Sequence, residues 1–276
     1  MNGQQLRDAL HHGGPVFGTL IVSPSPIWPK ALAGANLDFV FIDTEHIPLD
    51  RETVSFMCQL YGGMDLAPIV RIPEPSATLA ATMLDGGAKG IIAPYVESVD
   101  EVRSLAGAVK FRPLKGQRLE QALDGAELEP PLQAFLDEYN SSNVLIVNIE
   151  STPAIENLDE ILSVPGLDAV LIGPHDLSCS LGIPEQYGHE KFASAIQRII
   201  SKARSRQIGV GIHFWEDVQS ETNWLQAGMN LLIHSGDITL FSKHLQLELD
   251  AIRKGIGQAP TENNNHALRK PGQVVV

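Results

Sequence analysis

Cysteine is scarce in this sequence: Cys58 and Cys179 are the 2 found in 276 residues. Their separation matches no metal-binding or redox spacing, and the simple reading is two small buried hydrophobes. Basic charge is also in short supply. Lys and Arg number 20 against 33 Asp and Glu, a net charge of −13. That balance argues against nucleic acid as a partner, because phosphate contacts need clustered basic residues. It leaves room for a small anionic substrate, since one well-placed Arg can dominate a pocket. No apolar run reaches membrane length, and no charged segment leading into a short apolar one opens the sequence. The expectation is a cytoplasmic protein with no membrane partner.

What the sequence does contain is a rhythm. Eight short apolar runs, each followed by a turn signal and a helix-like stretch, fall at 16–22, 38–44, 67–72, 90–96, 144–150, 168–173, 208–213 and 230–235. They are apolar throughout rather than alternating, the pattern of parallel strands covered on both faces. Between them, 190–206 places Phe192, Ile196, Ile199, Ile200 and Ala203 on one helical face. Ser76 reads as the cap of a helix over 77–85 that stops at Gly86-Gly87, and Thr152-Pro153 as the start of a helix over 153–163. Eight β–α units predict an α/β fold, a single (β/α)₈ TIM barrel over residues 1–256, with a doubly wound open sheet as the alternative. Residues 111–143 form an insertion between strands four and five, with a short helix near 132–138 and the character of a lid or interface arm. Residues 257–276 lack periodicity and predict a flexible tail.

Barrel sites lie at the C-terminal ends of the strands, and six of those ends carry polar side chains here. Strand two ends in Asp43-Thr44-Glu45-His46, strand three in Arg71, strand five in Asn148-Ile149-Glu150. Strand six runs into Gly173-Pro174-His175-Asp176, strand seven ends in His213, and strand eight in His234-Ser235. Glu150 and Asp176 lie 26 residues apart, about one β–α unit, so their strand ends are neighbours. Two adjacent carboxylates repel unless a cation lies between them. A hard divalent ion, Mg²⁺ or Mn²⁺ with Co²⁺ as a further candidate, suits one or two carboxylates plus water and substrate oxygens. Arg71 could hold a substrate carboxylate in bidentate fashion, or form a structural ion pair with one of the acids. His46 is a candidate general base. Aldol chemistry needs an electron sink, either a Schiff-base lysine or a metal. No lysine stands at a predicted strand end, which favours the metal.

The stretches FVFIDTEHIPLD (39–50), PIVRIPEPSATLAATMLDGGAKGIIAPYVESVDE (68–101) and NIESTPAIENLDEILSVPGLDAVLIGPHDLSCSLG (148–182) resemble the class II pyruvate aldolases of the hydroxy-ketoheptanedioate and 2-dehydro-3-deoxyglucarate aldolase group. The wider superfamily includes the citrate lyase β-subunit and macrophomate synthase. The similarity spans about residues 14–245. It implies a metal held by Glu150 and Asp176 and chelated by pyruvate, with Arg71 near the reacting carbonyl. It also implies His46 as the proton shuttle and Asp85 as an acid paired with it, although the helical reading puts Asp85 at the far end of a helix. Strand-end groups Asn148, Gly173 and Pro174 would border the substrate. There are departures. Asn148 stands where the family often has Gln, His175 where it has a small residue, and His213-Phe214-Trp215 where it is commonly apolar. These place His213 and His234 on the aldehyde side of the pocket, favouring a polar or acidic partner.

The expected activity is cleavage of a 4-hydroxy-2-oxo acid to pyruvate and an aldehyde. The alternatives are a related metal-dependent lyase or decarboxylase acting on a 2-oxo acid or hydroxyacyl-CoA, and a non-catalytic barrel that binds an oxo acid. The resemblance further implies a homo-oligomer, often a hexamer.

Overall fold

Eight parallel strands hydrogen-bond in chain order and close on themselves: β1 (Val16–Leu20), β2 (Phe39–Asp43), β3 (Ala67–Arg71), β4 (Gly90–Ala93), β5 (Val144–Ile149), β6 (Ala169–Ile172), β7 (Gly209–Phe214) and β8 (Leu231–Gly236). This is the expected TIM barrel, seen in a computed structural model that describes residues 1–258. Of the tail expected over 257–276, all but Gly257 and Gln258 lies outside the described residues. Each predicted strand is present; β4 stops three residues early at Ala93, β7 and β8 start and end one residue later than expected, and the others are shorter by one or two residues.

Thirteen helices connect and cover the strands among the described residues. They are α1 (Gly3–His12), α2 (Trp28–Leu32), α3 (Arg51–Gly62), α4 (Ala77–Asp85), α5 (Val99–Lys110), α6 (Gly116–Leu123) and α7 (Pro130–Tyr139). Then follow α8 (Thr152–Glu156), α9 (Leu158–Ile161), α10 (Pro174–Ser180), α11 (Glu190–Ser205), α12 (Val218–Gln226) and α13 (Asp237–Gly255). Ser76 caps α4 through a hydrogen bond to the Leu79 amide, as expected. The helix expected over 153–163 is broken instead. Ser151, one residue earlier than expected, caps α8, and the chain turns at Asn157 before α9. No described helix is long and apolar enough to cross a membrane.

Two apolar layers follow from the pleat. Side chains of one parity fill the barrel interior, among them Phe39, Phe41, Ile69, Ile92, Ile146, Leu171, Leu231 and Ile233. Those of the other parity, such as Val40, Val70, Val147, Val170, Val210 and Leu232, pack outward under the helices. Helix α1 closes the N-terminal end. Its start is fixed by a capping box between Asn2 and Gln5, and Leu6 and Leu10 enter the interior cluster fully buried, each contributing roughly 2 kcal/mol of burial. Asp168 ties this end together. It is buried at the foot of β6 and receives Arg7 Nε (3.1 Å), His11 Nε2 (2.9 Å), the Lys110 ammonium and the Leu145 amide (2.7 Å). The insertion forms two helices, α6 and α7, where one was expected. With the N-terminal end plugged and knotted by Asp168, the polar strand-end residues gather at the opposite rim.

Candidate active site

Asp43 ends β2 fully buried, and Arg71 ends β3 beside it in register. The guanidinium grips Asp43 twice, Nε to Oδ1 and Nη2 to Oδ2, both at 2.7 Å. Nε also lies 3.1 Å from Glu45 Oε2, and the guanidinium carbon sits 5.4 Å from the centre of the Phe41 ring. Burial alone would raise the Asp43 pKa, but the bonds and charge of Arg71 outweigh it and hold the group below the ordinary carboxylate value. Burial likewise opposes the Arg71 charge, and Asp43, Glu45 and Glu150 more than offset it, raising its pKa. The ion pair expected as one reading for Arg71 is formed with Asp43. It uses Nε and Nη2 and leaves Nη1 without a hydrogen bond among the described residues. Asp43 also accepts the amides of Glu45 (3.0 Å) and His46 (3.3 Å), folding the loop so that His46 Nε2 lies 3.7 Å from Glu45 Oε1.

Glu150 follows β5 and is buried. Its Oε1 accepts the Tyr95 amide at 2.7 Å and its Oε2 the Asn148 side-chain amide at 2.9 Å. Desolvation, opposed by these bonds and reinforced by the charges of Asp176 and Glu45, pushes its pKa up to about 7. Gly173 makes the carboxylate's place: a Cβ there would stand 2.3 Å from Glu150 Oε2. Asp176 lies in the first turn of α10, which Pro174 begins. Arg71, His46, Asn148, Glu150, Gly173, Pro174 and Asp176, expected from different strand ends, lie on one rim of the barrel.

Tyr95 was not anticipated. It holds a left-handed backbone (φ 54°), which turns its amide onto Glu150. A hydrogen bond from its phenol to Glu45, then burial, raises the phenol pKa and keeps it protonated. The available signal was its position, directly after β4 in Ala93-Pro94-Tyr95.

His213, next to last in β7, lies on the interior side, its ring 5.5 Å edge-on from Phe41 and 5.4 Å from Trp215. Its Nε2 lies 3.1 Å from the Ser235 carbonyl oxygen, an acceptor, so Nε2 carries the proton. Burial, then the Arg71 charge, pushes its pKa down to about 4 and leaves the ring neutral.

Two expected site residues go elsewhere. His234 lies on the outward parity of β8, beside Leu232, and its Nδ1 contacts both oxygens of buried Glu221 on α12 at 2.9 Å. It does not share His213's wall. Asp85 is the last residue of α4, mostly exposed at the N-terminal end of the barrel, and pairs with Arg112. A helix that returns from the rim carries its last residue to the far end, so within one chain Asp85 is remote from His46. Lys243, although no strand-end residue, reaches over from α13 to the Trp215 carbonyl oxygen.

Among the described residues no group of three or more His, Cys, Asp or Glu side chains forms a ready-made metal cage. A Mg²⁺-type ion needs fewer protein ligands, one or two carboxylates with the rest water and substrate. The donor set fits it. Glu45, Glu150 and Asp176 bring negative charge around a guanidinium already paired with Asp43, and the Asn148 Oδ1 is buried with no partner.

A profile of known sequences described as HpcH/HpaI aldolase/citrate lyase matches residues 19–243, most of the chain. The chain belongs to the HpcH/HpaI aldolase/citrate lyase family. Family membership makes it a carbon–carbon lyase of the aldolase type. Among curated relatives, the 2-keto-3-deoxy-L-rhamnonate aldolase of Shigella sonnei (strain Ss046) is 29% identical over 250 residues, 90% of this chain and 93% of the relative. Among solved structures, an HpcH/HpaI aldolase from Desulfitobacterium hafniense DCB-2 superposes with a TM-score of 0.78 at 25% identity, covering 90% of this chain and 96% of that one. The citrate synthase SbnG does so at 0.77 and 26% identity, covering 92% and 99%.

Proposed function

We propose that this HpcH/HpaI-family lyase is a class II aldolase that cleaves a 4-hydroxy-2-oxo acid to pyruvate and an aldehyde, using a divalent metal held by Glu150 and Asp176. The observation that carries this is the Glu150 carboxylate, buried against the Cβ-less Gly173 and close enough to Asp176 for their charges to interact. A carboxylate in that position is costly to ionise unless a cation joins it. The bound metal would polarise the keto oxygen of the oxo acid and thereby stabilise negative charge as the bond breaks.

The protein's own groups do the rest. Arg71, immobilised by Asp43 through Nε and Nη2, keeps Nη1 for the substrate and places fixed positive charge near the oxo-acid oxygens. His46 Nε2, half-exposed beside Glu45, takes the proton from the substrate hydroxyl. Asn148 and the Tyr95 amide hold the Glu150 oxygens in place. Asp85 as the acid partner of His46 would have to come from a neighbouring subunit.

Self-association belongs to the same reading. Along α13 and its capping residue Ile256, Ile238, Phe241, Leu245, Leu249, Ile252 and Ile256 recur at helical spacing and are exposed, Phe241 to 61% and Ile252 to 60%. Such a stripe fits a second copy of the chain, and the family resemblance extends this to a hexamer.

Proton–deuterium exchange at the methyl group of pyruvate tests the central claim, on metal-stripped protein with and without Mg²⁺ or Mn²⁺. Exchange that requires metal and vanishes in Glu150→Gln is the expected result. Absence of exchange with every metal would overturn it.

A further inference from the structure

At the plugged end of the barrel, away from the rim, a cavity of about 400 Å³ opens between α1, α5, α7 and the loop leading into β6. That volume is in the range of small-molecule sites. Two cations meet here over one carboxylate. Arg7 Nε and the Lys110 ammonium both bind Asp168, which leaves positive charge in excess at this point of a chain whose net charge is −13. The Lys110 side chain is only 9% exposed. Burial, with the Arg7 charge adding to it, pulls the Lys110 pKa below its ordinary value in spite of Asp168. Neighbouring cations repel unless anions balance them, and Asp168 supplies one where two would fit.

Neither cation is spent. The Arg7 Nη atoms carry no hydrogen bond among the described residues. Lys110 uses two of its three donors, on Asp168 and on the Asn143 carbonyl oxygen at 2.6 Å. Asn140, which also lines the cavity, is committed: its Nδ2 donates to the Arg112 and Leu136 carbonyl oxygens and its Oδ1 accepts from Asn143. Gly166 makes room for the lysine stem, since a Cβ there would stand 2.9 Å from Lys110 Cγ. Phe111, Leu136 and Pro165 supply apolar surface. Asp137 on α7 is exposed, and one of its oxygens accepts the Gln133 side-chain amide at 2.8 Å. Its other oxygen has no hydrogen bond among the described residues. A dianion would be repelled by Asp137, and a bare inorganic ion would leave the apolar surface uncovered. One carboxylate, one ammonium and a short apolar body match all three features.

We propose that this cavity is a second ligand site, separate from the rim, which binds a free amino acid with an apolar side chain. The carboxylate sits on Arg7 and Lys110, the ammonium on Asp137, and the side chain on Phe111, Leu136 and Pro165. The bound molecule joins α7, part of the insertion between β4 and β5, to α1 and α5.

Calorimetric titration of the full-length, metal-loaded protein with L-leucine tests this, with three analogues beside it. 4-Methylpentanoate lacks the ammonium, 3-methylbutylamine lacks the carboxylate, and 2-hydroxy-4-methylpentanoate replaces the ammonium by a hydroxyl. L-Leucine is expected to bind, to raise the melting midpoint, and to bind more tightly than all three. Arg7→Gln should weaken L-leucine about tenfold, the scale of a hydrogen bond to a charged group. Asp137→Asn should weaken it about fivefold, as an exposed ion pair allows, and leave 4-methylpentanoate unchanged. Gln133→Trp, at an exposed lining position, should fill the cavity and abolish binding without lowering the melting midpoint, which keeps the test decisive if Arg7→Gln does not fold. Absence of L-leucine binding, unchanged affinity in Arg7→Gln or Gln133→Trp, or equal losses for both ligands in Asp137→Asn would overturn the proposal. Tighter binding of the hydroxy acid than of L-leucine, or displacement of L-leucine by pyruvate, would overturn it as well.

Discussion

A single missing carbon makes the Glu150 position possible. Because a Cβ on residue 173 would meet Glu150 Oε2 at 2.3 Å and Glu150 Cβ at 3.0 Å, Gly173→Ala must displace the carboxylate. The variant should fold with a nearly unchanged melting midpoint while its metal affinity, read by calorimetric titration, drops at least tenfold. His213 supplies a second prediction at this scale. Its folded pKa, about 4, lies below its ordinary 6.5. Above 6.5 both folded and unfolded states hold it neutral, so its contribution is fully present. As pH falls from 6.5 toward 4 the unfolded state takes up the proton first, and stability is lost. The shift corresponds to about 3 kcal/mol at most. Denaturant midpoints measured between pH 7 and 4 should therefore fall less steeply in His213→Leu than in the wild type. Most rim residues were legible from strand-end position alone, as Glu150 and Arg71 illustrate. Tyr95 was not, because its part is played by a backbone amide. His234 was misplaced because one step along a strand reverses the face, so a one-residue ambiguity in register decides whether a histidine looks inward.

At the level of elements, the strands were readable because burial on both faces leaves a continuous apolar signature that needs no partner to interpret. Helix α1 was not, since its role depends on Leu6 and Leu10 meeting the feet of strands far away in sequence. The insertion was recognised by length, but Pro130 and Pro131 opened α7 rather than interrupting it, as proline does in a first turn. What fastens α1 and α5 to the barrel is Asp168, whose pKa is lowered against burial by Lys110 and His11. Removing one member of such a buried set strands the others. Asp168→Ala should cost about 3–5 kcal/mol, measured by urea unfolding. At a temperature where the variant is folded it should keep metal-dependent pyruvate exchange, because this knot lies at the end of the barrel opposite the rim.

Across the whole molecule, the conspicuous surface is α13. A helix that finished the outer layer in the usual way would hide its apolar stripe, whereas here Phe241, Ile252 and Ile256 stay exposed along one face. Phe241→Glu combined with Ile252→Glu should shift the protein to a smaller species by light scattering, without loss of barrel circular dichroism. An unchanged mass would show that the stripe does not join copies. The stripe could be seen in the sequence as periodicity. Its exposure could not, because that depends on how far the helix departs from the barrel wall.

The same helix begins with a residue that closes the ring. Buried Asp237 receives the amides of Val22 and Ser23, 215 and 214 residues earlier in the chain, so a carboxylate bolts the seam between the last strand and the first. On the ribosome, β1 leaves the exit tunnel as a naked edge and waits for more than three-quarters of the chain to be made before β8 arrives to cover it. The nascent barrel is thus an open, adhesive ribbon for nearly its whole synthesis, and its safety in the cell depends on what shelters that edge until residue 237 emerges.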